Sequence, residues 1–219
     1  MILIDFLENK VAKYLPKSVE LLKSLEPFDF GPRPDDIKGL TSQFAIEIED
    51  PDGEFFYYGE VLCTDNDVFC GKGVRVWIKG GSMAILIGWF RNNVFTGLGR
   101  NIFETNLQYY DGEFFKFKYH GKGSINYGDR RVYTGDFVNG EEHGYGVCRF
   151  ANGQIYTGYW KDGKMDGEGK MEFKIEQYTR VGTWKVGQFD GEHTVTYTNG
   201  DVRKQFWLDF ELIYDDILK

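Results

Sequence analysis

From residue 57 to residue 206, bulky rings alternate with glycine and polar residues at a period of two. Tyr133, Gly135 and Phe137 hold alternate positions, as do Tyr156, Gly158 and Trp160. Alternation puts residues i, i+2 and i+4 on one face of a strand, so each trio predicts a short strand with two rings on one side and a glycine between them. Gly140 and Gly144 bracket a turn, residues 144–150 alternate again as a return strand, and Asn152-Gly153 reads as the hairpin signal that opens the next unit. Each unit is thus a β-hairpin that cannot bury its rings alone and must stack on its neighbours.

The pattern differs at the two ends. Leu3, Phe6, Leu7, Val11 and Tyr14 fall near helical spacing, Pro16 interrupts them, and Val19, Leu21, Leu22 and Leu25 predict a second short helix over 18–25. Gly31-Pro32-Arg33-Pro34 reads as a linker. Phe44, Ile46 and Ile48 alternate as a strand, Pro51-Asp52-Gly53 turns, and residues 42–61 form a hairpin expected to cap the first repeat. After residue 206, Phe210, Ile213 and Ile217 fit a helix, whereas Phe206, Leu208, Phe210 and Leu212 fit a strand; a short capping helix is expected from about residue 209. The organisation is therefore a helical segment and linker (1–41), an N-capping strand and turn (42–56), the repeat region (57–206) and a C-terminal cap (207–219).

The repeat can be followed copy by copy. Tyr133-x-Gly135-x-Phe137 leads to Gly140, Gly144, Gly146, Phe150 and Asn152-Gly153, and Tyr156-x-Gly158-x-Trp160 follows 23 residues later with Gly163, Gly167, Gly169 and Phe173. Arg180-x-Gly182-x-Trp184 comes next, with Gly187, Gly191, Tyr197 and Asn199-Gly200. Upstream stand Tyr110-x-Gly112-x-Phe114, Leu86-x-Gly88-x-Phe90 and a degenerate copy at Tyr57-x-Gly59. That makes six copies, with a half copy near Arg203–Trp207. The mid-strand glycines Gly88, Gly112, Gly135, Gly158 and Gly182, and Gly144, Gly146, Gly167 and Gly169 of the return strands, are read as structural positions over which a neighbouring ring can lie.

These residues resemble the MORN repeat family, whose pattern is Tyr-x-Gly-x-Trp, then Gly, Gly-x-Gly, an aromatic and Asn-Gly. The resemblance covers about 150 of the 219 residues. Departures are Arg180 for the leading tyrosine, His193 for the second glycine of Gly-x-Gly, and Phe117 where a turn glycine belongs. The fold expected is mostly β: an elongated single-sheet solenoid of about six hairpins, with an α-helical N-terminal segment and a short C-terminal capping element. With strands about 4.8 Å apart, each unit advances about 9.5 Å, and six make a rod on the order of 55–60 Å long.

Composition agrees with the repeat. Of 28 glycines, 25 lie in 57–206, and aromatic residues make up 17% of the chain. The net charge of −8 is carried by the ends: −6 over 1–56 and −3 over 207–219, against +1 over 57–206. No basic stripe exists, which argues against nucleic acid as a partner. Cys63, Cys70 and Cys148 cannot all pair and fit no zinc knuckle, so an intracellular reducing compartment is expected. The longest apolar run, Met83–Gly88, is too short to span a bilayer. Asp5 interrupts the apolar start and no basic region precedes it, so neither a secretory signal nor an Arg-rich transit peptide is expected.

Candidate chemistry is sparse. Residues 158–165 nearly spell a phosphate-binding loop, but Met165 stands where Ser or Thr would hold magnesium, and the segment falls on strand and turn positions. His120 and His143 share a repeat offset about 9.5 Å apart, too far to hold one zinc ion. No nucleophile–histidine–acid set stands out. The chain is therefore read as no enzyme, with no catalytic residue, metal or cofactor. Tyr110, Phe114, Tyr133, Phe137, Tyr156, Trp160 and Trp184 are expected to line one face as an apolar groove, suited to a helix or extended segment of a partner protein. The N-terminal helices could occupy part of that groove themselves.

The resemblance implies a non-catalytic scaffold that binds proteins in a larger assembly, of the ciliary or cytoskeletal kind common in the family. One alternative is a peripheral module for anionic phospholipid, through Lys116, Lys118 and Lys122 or Lys161, Lys164 and Lys170; the near-neutral repeat region offers it little attraction. Another is an accessory subunit of an organellar complex, for example mitochondrial, imported without a cleaved presequence.

Overall fold

The computed structural model describes residues 7–32, 42–49, 55–62, 65–78 and 83–218. The sequence-predicted turn at 51–53, the helical positions before residue 7 and the linker residues Arg33 and Pro34 lie outside the described residues. The protein is mostly β. Its strands follow sequence order through one antiparallel sheet that does not close. The chain divides into two compact units, one reaching to residue 120 with 125–128, the other holding 121–124 and everything from residue 129.

The first unit contains β1 (Ser42–Glu49), β2 (Phe55–Leu62), β3 (Asp65–Trp77), β4 (Ala84–Arg91), β5 (Val94–Phe103), β6 (Tyr109–Phe115) and most of β7 (Lys118–Asn126). β1 pairs with β2, as the capping hairpin requires. Glycine sets the register from strand to strand: Gly59 faces Gly73, which faces Gly88, then Gly99, then Gly112.

On the opposite face of β2, β3 and β4, apolar residues are covered. A π-helical turn, Leu7–Val11, precedes helix α1, Pro16–Ser24. Pro16 starts this helix as well as ending the turn before it, because the first helical position needs no N–H donor. Val11, Leu15 and Val19 are buried against Tyr58, Val74, Val76, Ile85 and Ile87, which alternate with the glycine row. The N-terminal segment therefore covers the face opposite the glycines and their rings, so it does not fill a groove made by those rings. Leu15 offers no side-chain cap to α1; buried Glu104 supplies it, accepting the backbone N–H groups of Lys17 and Ser18 at 3.1 and 2.7 Å. A carboxylate is well suited there, since the helix N-terminus carries partial positive charge. Beyond α1 a stretch outside any helix or strand is pinned at two points. Arg100, held by both oxygens of Asp111 at 2.6 and 2.7 Å, donates to the Glu26 carbonyl at 3.0 Å, and the Trp89 indole donates to the Phe30 carbonyl at 2.8 Å.

The second unit holds β8 (Arg131–Val138), β9 (Glu141–Phe150), β10 (Ile155–Lys161), β11 (Lys164–Phe173), β12 (Tyr178–Lys185), β13 (Gln188–Tyr197), β14 (Val202–Leu208) and β15 (Glu211–Ile217). The glycine row runs Gly135, Gly146, Gly158, Gly169 and Gly182, then meets His193. Tight turns at Asn139-Gly140, Asp162-Gly163 and Val186-Gly187 put both residues at positive φ, the two-residue geometry that matches strand twist. Lys116-Phe117 adopts the same geometry without glycine, at φ 49° and 65°. Asn152-Gly153, read from the sequence as the hairpin signal, instead lies in a wider connection between β9 and β10, closed by Phe150 and Gln154.

The expected C-terminal helix is a strand. β15 returns along β14 through an Asp209-Phe210 turn at φ 48° and 68°, the same geometry as the repeat's own turns. The spacing of Phe210, Ile213 and Ile217 imitates a helix because the first sits in the turn and the other two on a strand exposed along its whole length. The half copy near Arg203–Trp207 is thus half of a full seventh hairpin.

Glu104→Ala should remove the helix cap. Hydrogen exchange of residues 16–24 should accelerate by the equivalent of about 1–3 kcal/mol, the range for a lost charged hydrogen-bond acceptor, while β8–β13 keep their protection.

Candidate protein interface

The leading tyrosines Tyr57, Tyr133 and Tyr156 each lie across a pair of facing glycines. An ideal Cβ on Gly135 or Gly146 would sit 2.5 or 2.4 Å from the Tyr133 hydroxyl oxygen, and Tyr156 covers Gly158 and Gly169 at 2.5 and 2.4 Å. Those contacts leave no room for any side chain. The hydroxyl then reaches the carbonyl three residues on: Tyr57 to Glu60 at 2.8 Å, Tyr110 to Glu113 at 2.9 Å, Tyr133 to Asp136 at 3.0 Å and Tyr156 to Tyr159 at 3.1 Å. A register shift just after the glycine in the β8–β9 and β10–β11 hairpins turns the chain at this point. Burial pushes all four phenols well above their ordinary pKa, which keeps them neutral donors.

The seven rings expected to form an open groove are interior. Tyr110, Phe114, Tyr133, Phe137, Tyr156, Trp160 and Trp184 are each no more than 4% exposed. They cover one another edge to face, Tyr133 on Trp160 at 5.0 Å, Tyr156 on Trp160 at 5.4 Å and Tyr156 on Trp184 at 5.1 Å. The expectation of a groove took the rings to stand upright on a bare sheet. Because glycine lets them lie down, one layer of strands supplies its own cover, and these residues hold the fold rather than a partner.

The other face of the second unit is open. Tyr145 and Tyr159 are 51% and 50% exposed and meet edge to face at 5.5 Å. Val138 and Val181 are also exposed. Asp136, paired with Lys122, accepts the Tyr145 backbone N–H at 3.2 Å and fixes that stretch. Sequence reasoning missed this pair because both tyrosines fill variable positions of the motif, between Gly144 and Gly146 and between Gly158 and Trp160. Their signal was an aromatic at a site where the pattern asks for nothing. The position of Tyr159 is occupied in the first unit by Trp89, between Gly88 and Phe90. There it is 2% exposed, because Phe30 packs on it edge to face at 6.3 Å and Lys72 stands over both rings.

Cys70 and Cys148 are buried, and burial pushes the Cys148 thiol up despite nearby Arg131. His143 approaches Asp162 at 3.9 Å. No three His, Cys, Asp or Glu side chains among the described residues come together as a metal site. Residues 158–165 lie on β10, a turn and β11 with no helix after them. No helix among the described residues is long and apolar enough to cross a membrane.

Where the leading tyrosine is absent, the return strand provides the ring. Phe95 covers Gly88 and Gly99 in the copy that begins with Leu86. In the copy that begins with Arg180, His193 covers Gly182, whose ideal Cβ would lie 2.3 Å from Nδ1. His193 is 1% exposed and packs edge to face on Trp184 and Phe189 at 5.1 and 5.2 Å. Burial, and then the charge of Arg180, hold its pKa below the ordinary value, against the backbone of Thr183 and Asp190 and the Asp190 carboxylate. The folded chain favours the neutral ring, so the unfolded chain binds more protons once pH falls below about 6.5. Stability from this socket should be complete above that pH and decline below it. Melting curves between about pH 7 and 5 should show a steeper loss for the natural chain than for an Arg180→Tyr/His193→Gly variant that restores the repeat.

Comparison with known proteins agrees with this geometry. The MORN repeat family model matches residues 65–82, 133–155 and 156–175. No curated protein matches the sequence. Among solved structures, one similar chain is the TCP domain of SAS-4 (dCPAP) of Drosophila melanogaster, in complex with a proline-rich motif of Ana2 (dSTIL). The likeness covers 88% of this chain and 97% of that one at 15% identity, with a TM-score of 0.37. With tyrosines laid over facing glycines in hairpin after hairpin, and the family model matching in both units, the chain carries MORN repeats.

Proposed function

We propose that this protein is a non-catalytic scaffold whose second unit binds an extended segment of a partner protein across Tyr145 and Tyr159. One observation carries the reading. The repeat position of Tyr159 is covered in the first unit by a stretch outside any helix or strand, where Phe30 of the same chain packs on Trp89 and receives its indole hydrogen bond at 2.8 Å. In the second unit the equivalent tyrosine is half exposed beside a second one. Paired aromatics with a hydroxyl at the tip are efficient anchors, apolar in body and polar at the end. The resemblance to MORN proteins suggests a cytoskeletal or ciliary assembly as the setting, with an organellar complex as the alternative.

The phospholipid reading has less support. Lys122 is paired with Asp136 and Lys170 with Glu172, so each lysine cluster is partly neutralised. Tyr145→Ser/Tyr159→Ser should leave thermal stability within about 0.5 kcal/mol per site, as for exposed positions generally. The same variant should lose the partners that the natural chain recovers in quantitative proximity labelling. Unchanged recovery by the folded variant would place binding elsewhere, and selective flotation of the natural chain with anionic vesicles would favour the lipid reading.

A further inference from the structure

The repeat that begins at Arg180 contains a buried cation with no carboxylate in hydrogen-bond contact. Arg180 is 7% exposed, and its Nε and Nη1 atoms have no hydrogen-bond partner. Its side chain shares a hydrogen bond with Tyr178, which is neutral at physiological pH. Two other arginines of the sheet meet carboxylates eleven residues on: Arg100 with Asp111 at 2.6 Å and Arg131 with Glu142 at 2.7 Å. Eleven residues beyond Arg180 stands Gly191. Asp215, whose charge also acts on Arg180, is held by Arg203 at 3.1 Å. Further unpartnered atoms lie on the neighbouring strand β14: the Trp207 indole nitrogen and Gln205 Oε1. An unpaired buried charge is costly, so its persistence points to a group that joins it later.

Beside the guanidinium is an apolar cleft of about 370 Å³, lined by Met171, Trp184, Phe189, Trp207 and Phe210 with Gln154 at its rim. Phe189 and Trp207 belong to both features, since the guanidinium lies 4.1 Å from the first ring and 5.6 Å from the second. We propose that β12–β14 form a carboxylate-binding subsite, filled by an acidic side chain of a partner polypeptide while the neighbouring aromatic or aliphatic side chain enters the cleft. Charge complementarity selects the occupant. A guanidinium without an acid accepts a carboxylate in a two-pronged pair and repels a basic segment. Phe189 and Trp207 line the cleft and stack on that guanidinium, so the proposed pairing requires one of these rings to turn aside. This site lies on the ring side of the sheet, opposite Tyr145 and Tyr159, and does not depend on that surface being an interface.

The probe is 3-phenylpropionate, with 3-phenylpropionamide and inorganic phosphate as comparisons, added to the full chain and followed by the indole N–H resonances of Trp184 and Trp207. The carboxylate should produce saturable shifts that weaken with added salt, and the amide should bind about tenfold or more weakly, the loss expected for a charged hydrogen bond. Arg180→Met should abolish the difference between acid and amide while raising the thermal midpoint of the unliganded chain, because an unpaired buried charge has been removed. Equal binding of acid and amide, no saturable shift with either, phosphate matching the aromatic acid, or a lower midpoint in Arg180→Met would each overturn the proposal. The acid–amide comparison is made on the natural chain and stands whether or not the variant folds.

Discussion

Everything in the repeat depends on a tyrosine ring lying across two glycines that face each other on neighbouring strands. Any side chain at either glycine would collide with the ring, as the 2.4–2.5 Å approaches at Gly135, Gly146, Gly158 and Gly169 show. The flat ring brings its hydroxyl to a backbone carbonyl that the register shift after the glycine turns inward, so a buried polar tip is satisfied in the same movement. It also lets the aromatic of the next hairpin close over it. A single layer of strands thereby obtains an interior without a second sheet. The glycine row fixes register too, since slipping a strand by one residue would put a side chain under every ring.

The glycine row was legible in the sequence because glycine recurring at constant spacing beside alternating rings marks strand positions where a side chain has no room. The hairpins and the capping strand before the first copy followed from the same alternation. What the alternation does not encode is ring orientation. Upright rings on one face look like a groove, and only the close approach permitted by facing glycines shows that Tyr133, Tyr156 and Trp160 are interior. The terminal strand was hidden for a different reason. Phe210, Ile213 and Ile217 are spaced as on a helix, and only pairing with β14 separates the readings. Tyr145 and Tyr159 went unnoticed because they occupy the motif's unspecified positions.

The two faces have different uses. On the ring side, substitutions are tolerated only when another ring takes the socket, as Phe95 and His193 do. On the other side β2–β4 present apolar residues that the N-terminal segment covers, with Glu104 capping the helix and Arg100 and Trp89 holding the stretch after it. The second unit presents tyrosines among charges on that side and remains open. In the first unit the chain's own Phe30 packs on that face at Trp89. At Arg180 the ring side exchanges a neutral phenol for a buried charge.

The ring-over-glycine socket is tested most directly by urea unfolding of Gly158→Ala. No left-handed backbone confuses the result, because Gly158 is not among the glycines at positive φ. Alanine removes backbone entropy from the unfolded chain, so on propensity alone it should be neutral or stabilising. The added methyl would lie 2.5 Å from the Tyr156 hydroxyl and 2.6 Å from the Gly169 Cα, which cannot rotate away. The account predicts a loss of about 1–3 kcal/mol, the range for overpacking a closed site. An unchanged or raised unfolding midpoint would show that the ring does not need the bare backbone beneath it, and would contradict the socket on which the rest of the structure is built.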